Sequence, residues 1–327
     1  MKRIFILMMA MLPALLWAQF PPAAGQPGST AMHADSSAFV AWATGCTLER
    51  GLQNVANPSL GLASFGAETA ALGRPGGTMD VVSLGDGGMA TLTFDSPICN
   101  GDGPDFAVFE NGLHPNQDTT MSLSFLELAF VEVSSDGENF FRFPAITHVP
   151  YDTQVGGFAA LNPSFLHNFA SKYEALYGTP FDLDEVEDNT LLDKSRITHV
   201  RLVDVVGCID PEYATYDSEG RIVNDPWPTP FASSGFDLDA IGVIHDIEHN
   251  SVTEQPEESV MLYPNPVKDL LNVQAENLQW VEVFNLMGQQ VLTATTNVVD
   301  LGLLDEGIYF VRISCSEGVV TKRIVKQ

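Results

Sequence analysis

The chain has 327 residues, enough for two domains with cores of their own. It carries 42 Asp+Glu against 15 Lys+Arg, a net charge of −27, and so acidic a surface repels phosphate backbones and argues against nucleic acid as a partner. Acidity on this scale suits bound calcium, cationic partners or plain solubility outside the cell.

The N-terminus opens with Met1-Lys2-Arg3, continues apolar from Ile4 to Trp17 apart from Pro13, and places the small Ala18 before Gln19. A basic start, a short apolar run and a small-residue exit predict a secretory signal peptide over residues 1–18. The run is shorter than the roughly 20 residues a spanning helix needs. No later stretch is longer or more apolar, so a mature protein without a transmembrane segment is expected. Residues 19–34, rich in Pro, Gly and Ala, predict a loose segment ahead of a body at 35–250. Export permits a disulfide. Cys46, Cys99 and Cys208 allow three pairings within the body, and without a CxxC or His-Cys cluster zinc is not expected.

The body reads as short strands between Gly, Asn, Asp and Pro turns: Met89–Phe94, Asp105–Glu110, Phe125–Ser134, His199–Val206 and Phe236–His245. This pattern predicts an all-β sandwich. Two Gly/Asp-rich loops, Ser83–Gly88 and Asn100–Asp105, lead into strands. Asp102, Asp105 and Glu110 are candidate calcium ligands, because carboxylate oxygens on a glycine-rich backbone suit a hard cation. Equally, Asp side chains in such loops bond their own backbone. Asn162 as cap, Pro163 in the first turn, Gly178 beyond the end, and Phe165, Leu166, Phe169, Tyr173, Leu176 and Tyr177 at 3–4-residue spacing predict an inserted helix over about 163–177. Trp227, held between Pro226 and Pro228, is a candidate stacking platform for a sugar ring or corrin face, with Tyr213 and Tyr216 on the preceding loop. The alternative is a Trp plugging the end of the sandwich. In Phe236–Ile241 the apolar residues 236, 238 and 240 share one face, and Asp237 and Asp239 the other.

The chain has no GxSxG elbow, HExxH, Walker loop or dinucleotide fingerprint. An acid pair of the glycosidase kind is defined by spacing in the fold, so the sequence leaves a hydrolase open. Residues 251–259, SVTEQPEES, read as a linker. After it come Val260-Met261-Leu262-Tyr263-Pro264-Asn265-Pro266, then Val281–Val291 with a turn at Met287-Gly288, then Gly307–Ile313 and a basic final strand. These predict a small, immunoglobulin-like β-sandwich at 260–327.

That tail resembles the type A C-terminal sorting domain of the Bacteroidetes type IX secretion system. The Tyr-Pro-Asn-Pro opening, the Asn-Leu-Met-Gly-Gln turn and the Gly-Ile-Tyr-Phe-Val-Arg strand carry the likeness in family order. It implies recognition of residues 260–327 by the secretion machinery, followed by release or attachment at the cell surface. Within the body, Val133–Phe140 resembles the SSDG hairpin of discoidin-like jelly rolls. Gly235–Ile241 resembles the last strand of carbohydrate-binding jelly rolls, where an acid holds a structural calcium; the likeness makes Asp239 and Asp237 metal candidates. The body as a whole is similar to uncharacterised bacterial cell-surface proteins, on Leu84–Gly88, Asp105–Asn111, Gly178–Leu183, Asp225–Pro230 and Gly235–Asp239. Some of these accompany outer-membrane uptake systems, cobalamin's among them. The expectation is a calcium-dependent, non-catalytic module for a glycan or small ligand. A surface-exposed accessory binding protein of cobalamin uptake, a polysaccharide-active hydrolase and a structural or adhesive surface protein are the alternatives.

Overall fold

The computed structural model describes residues 20–115, 122–250, 260–275, 277–286, 288–315 and 318–327. The expected signal peptide and linker lie outside the described residues. The chain divides into two units, one ending at Asn250 and one starting at Ser251.

In the first unit the strands are β1 (Met32–His33), β2 (Ala41–Trp42), β3 (Gly45–Glu49), β4 (Val82–Ser83), β5 (Met89–Ile98), β6 (Phe106–Glu110) and β7 (Ala129–Ser134). They continue with β8 (Phe141–Arg142), β9 (Ile146–Thr147), β10 (Leu166–His167), β11 (Tyr177–Phe181), β12 (Ile197–Asp204) and β13 (Asp237–Val243). One antiparallel sheet runs β1-β11-β6-β13-β2, with β4 also on β13; the second runs β3-β5-β12-β7-β8. Phe106, Val108, Leu238 and Ile241 of the first sheet meet Leu92, Val131, Val133, Val200 and Leu202 of the second in one core. This is the all-β sandwich that the alternating pattern implies.

Both sheets are also covered on their outer sides. Ala107, Phe109 and Ala240 lie under Phe39 and Trp42, and Phe130 lies among Val149, Leu166 and Phe169. Hence β6, β7 and β13 are buried along their whole length, polar residues included. A register shift between Leu238 and Ala240 on β13 turns Ala240 outward, while Ile241 returns to the inter-sheet core. The single face expected for 236, 238 and 240 is broken by that bulge.

The helix expected over 163–177 does not form. Asn162 caps as expected, its Oδ1 accepting from the Ser164 amide at 3.0 Å, but the turn stops after Phe165 as a 3₁₀ helix. Asn168 (φ 54°) and Leu176 (φ 69°) then take left-handed backbone. The reason lies between the apolar positions: Ser164, Asn168, Ser171 and Lys172 are buried as well. A segment enclosed on every side has no use for one apolar stripe. Residues 20–34, expected to be loose, lie against this segment. Phe20 stacks on His148 and His167 at 5.1 and 4.9 Å, and Thr30 Oγ1 bonds Tyr173 Oη at 2.8 Å.

The second unit has β14 (Met261–Tyr263), β15 (Leu270–Gln274), β16 (Trp280–Phe284), β17 (Gln290–Ala294), β18 (Val298–Asp300), β19 (Gly307–Cys315) and β20 (Gly318–Lys326). The sheets β14-β15-β18 and β17-β16-β19-β20 enclose Leu271, Val273, Val281, Val283, Val299, Val311 and Ile313. The Tyr309 hydroxyl donates to the Asp305 carbonyl at 2.9 Å, tying the start of β19 to the preceding loop. Cys46, Cys99, Cys208 and Cys315 are all unbridged. Among the described residues no helix is long and apolar enough to cross a membrane.

Candidate functional site: an aromatic groove floored by buried carboxylates

Four loops at one end of the first unit bring carboxylates together. Asp86 sits in the Leu84–Gly88 turn, where Gly85 and Gly87 take positive φ. Its Oδ2 accepts from the Val55 amide (2.8 Å) and from Trp227 Nε1 (3.1 Å). Asp204, closing β12, accepts from the amides of Gly87 (2.9 Å) and Phe236 (2.7 Å). Asp225 accepts from the Leu128 amide at 2.9 Å. Glu127, between Leu126 and Leu128, completes the ring: with Trp227 and Thr229, these four acids line one small cavity. Burial raises all four, Glu127, Asp204 and Asp225 furthest, and for these three neighbouring carboxylates reinforce the rise.

Gly207 is required by this packing, since a Cβ there would overlap Asp225 Oδ1. Gly207→Ala should therefore displace the acid that holds Leu128. The expected cost is roughly 2–3 kcal/mol, a drop in melting temperature of about 5–10 °C for a domain of this size. An unchanged melting curve would contradict the close approach.

Glu127 faces a second space as well. A groove of about 420 Å³ is lined by Asn111, Leu113, Phe125, Glu127, Phe158, Phe231 and Asp237, among others. Its rim is aromatic: Phe158 is 82% exposed and Phe231 46%, with ring centroids 5.8 Å apart. The loops carrying them are fastened together. The Trp227 amide donates to the Val155 carbonyl at 3.1 Å, and Gly157 abuts the Pro228 carbonyl where no side chain fits. Among the described residues no hydrogen bond reaches the Glu127 carboxylate, which is only 6% exposed; burial acts on it most, and other carboxylates after it. Glu132 shows the contrast. It is 7% exposed, yet Arg142 and Arg201 clamp it at 2.5–2.9 Å.

The sequence-predicted residues divide between this site and places outside it. Asp237 is at the groove, accepting from Ser83 Oγ and from Asn111 Nδ2 (2.9 Å), and burial pushes it up to about 6. Glu110 is its electrostatic neighbour. One oxygen accepts from the Gly112 amide (2.6 Å) and Ser171 Oγ (2.8 Å); the other, Oε1, is buried without a partner. Asp239 accepts from the amides of Gly76 (2.8 Å) and Gly77 (3.2 Å), and burial raises it to about 6. Asp105 is fully occupied by the amides of Gly101 and Leu183 and by His245 Nδ1, each at 2.8 Å, while Asp102 is exposed on the same loop. Among the described residues no group of three His, Cys, Asp or Glu side chains stands ready to hold a metal ion. Trp227 is half-buried, with its indole turned to Asp86. Tyr213 is half-buried and Tyr216 is 48% exposed; neither lines the groove. Sequence reasoning missed Glu127, Asp86, Asp204, Asp225, Phe158 and Phe231. The one available signal was Phe125-Leu126-Glu127-Leu128-Ala129-Phe130, a lone Glu set among large apolar residues just ahead of β7.

The chain is thus an all-β protein of two units, a sandwich with an acid-floored groove followed by a seven-stranded sandwich. Residues 261–327, nearly the whole of that second sandwich, match the family described as the secretion system C-terminal sorting domain. This tail marks the chain for export by the type IX secretion system to the cell surface or the extracellular space. No curated protein matches the chain. Among solved structures, it is similar to a "Biofilm associated protein - BSP domain" at 14% identity and a TM-score of 0.17, over 73% of this chain and 48% of that one. It is also similar to β-glucuronidase from Ruminococcus gnavus, solved with an N1-substituted uronic isofagomine. There the identity is 10% and the TM-score 0.19, over 94% of this chain and 47% of that one. The chain spans less than half the length of each, and at these scores neither likeness carries functional weight.

Proposed function

We propose that the first unit is a non-catalytic binding module for a glycan or small ligand, carried out of the cell by its sorting tail. The groove supports this reading. Two exposed phenylalanines on mutually fastened loops form a rigid apolar platform, the feature that stacks on a ring-shaped ligand. On this reading the binding face lies at Phe158 and Phe231, close to Trp227, the platform that the sequence suggests. Titration calorimetry of the full chain against a saccharide panel tests this. Replacing both Phe158 and Phe231 by Ala should weaken binding roughly tenfold or more, as the loss of anchoring aromatics does. Undiminished binding would remove the groove from consideration.

One observation favours a second reading, a polysaccharide hydrolase. Burial and neighbouring carboxylates raise Glu127 well above the ordinary carboxylate range on the same groove as Asp237, the direction a general acid needs. Release of reducing ends from any polymer, abolished by Glu127→Gln, would establish turnover in place of simple binding.

A further inference from the structure

We propose that the groove selects a ligand bearing a free ammonium group, and that an amino sugar seated between Phe158 and Phe231 is its occupant. This rests on the binding-module reading above and adds the chemistry of the ligand.

The first argument is charge. Among the described residues Glu127 and Asp237 are the acids lining the groove, His114 lines it at the rim beside Leu113 and Pro115, and no Lys or Arg does. Behind Glu127 stand Asp86, Asp204 and Asp225. The buried amine of this unit, Lys172, is directed elsewhere, to the carbonyls of Pro163 (2.7 Å) and Leu166. An enclosed carboxylate without donors or counter-charge is costly, and a cation brought by the ligand offsets that cost.

The second argument is shape. Among the described residues the acids do not converge as a metal cage would. The groove holds a group far larger than an ion, and apolar side chains wall it: Leu113, Phe125, Phe158 and Phe231. Aromatic faces beside carboxylates suit an organic ammonium, which gains from both the ring quadrupole and the charge. The ring body of a sugar stacks on the exposed phenylalanines. Its amine points to the floor, where Asn111 and Asp237 are already bonded to each other at 2.9 Å.

A matched series of β-1,4-linked tetramers isolates the ammonium: glucosamine, glucose and N-acetylglucosamine, differing only at C2. With the full chain at pH 6.5, calorimetry should show the glucosamine tetramer binding at least tenfold tighter than the other two. Glu127→Gln, which removes charge and keeps shape, should erase that preference while neutral tetramers bind as before. Asp237→Asn, which keeps an oxygen toward Asn111, serves as a second variant should the first misfold by circular dichroism. Equal affinity for the three tetramers would overturn the ammonium inference and leave the binding-module reading standing. If no tetramer bound, the inference would fall, and the binding-module reading would fall with it only if the saccharide panel also showed no binding that depends on Phe158 and Phe231. Calcium chloride titrated alone supplies a further arm. Saturable, Glu127-dependent calcium binding would show that the acids await a metal and would overturn the inference.

Discussion

A chain truncated after Asn250 should fold and yet fail to appear outside the cell, accumulating within the envelope while the full chain is exported. The expectation rests on the tail being a complete unit. Its two sheets enclose their own core, with Val281, Val283, Val311 and Ile313 fully buried. β20 pairs with β19 along its whole length, and the Gln327 amide returns to the Val267 carbonyl at 2.8 Å. The body in turn keeps its own core of both sheets without any residue of the tail. Removal should therefore delete a signal and leave the fold. Fractionation of producing cells, with immunoblots of medium, surface and envelope, measures it. Normal surface or medium levels of the truncated chain would show that the tail does not direct export.

Acidifying the purified, chelator-treated chain from pH 8 to pH 5 should raise the melting temperature of the body. Asp237 and Asp239 hold their protons up to about 6 because burial disfavours their charged forms. Asp86, Asp204, Asp225, Glu110 and Glu127 move in the same direction. A carboxyl whose folded pKa lies above its unfolded value adds stability that is complete below the unfolded value. That stability is lost as pH rises through the folded value. For Asp237 and Asp239 the window runs from about 4 to above 6; over all of it each contributes on the order of 3 kcal/mol, about half of that by pH 5. Allowing for relaxation of the site, a rise of roughly 5–10 °C is expected. A melting temperature highest near pH 8 would mean that the carboxylates are ionised and compensated in the native protein.

The strands were legible because their periodicity survives. In β12, Val200, Leu202 and Asp204 are buried while His199, Arg201 and Val203 are part-exposed, so the alternation predicts the pairing. The tail was legible for a stronger reason, since its Tyr-Pro-Asn-Pro opening and Gly-Ile-Tyr-Phe-Val-Arg strand are specific words in a fixed order. The segment after Asn162 was misread because periodicity marks which residues are apolar and cannot mark that the polar ones between them are buried too. The groove was hidden for a different cause. Its acids are Glu127 and Asp237, with 86, 204 and 225 behind Glu127, and its aromatics come from 125, 158 and 231, joined only by loop closure in space. Asp237 was found because a strand carries it; Trp227 was found too, though as a platform where the structure makes it a partner of Asp86.

Lys172 gives the protein an internal clock for its own opening. Burial pulls this amine down to about 7, so a good share is unprotonated and nucleophilic near neutral pH. At 4% exposure it is shielded from any acylating reagent. Its modification therefore waits on loosening of the segment around Pro163 and Leu166, whose carbonyls it holds. Timed acetylation followed by peptide mass mapping would count those excursions at a single residue, and a bound ligand that tightened the body would slow the count.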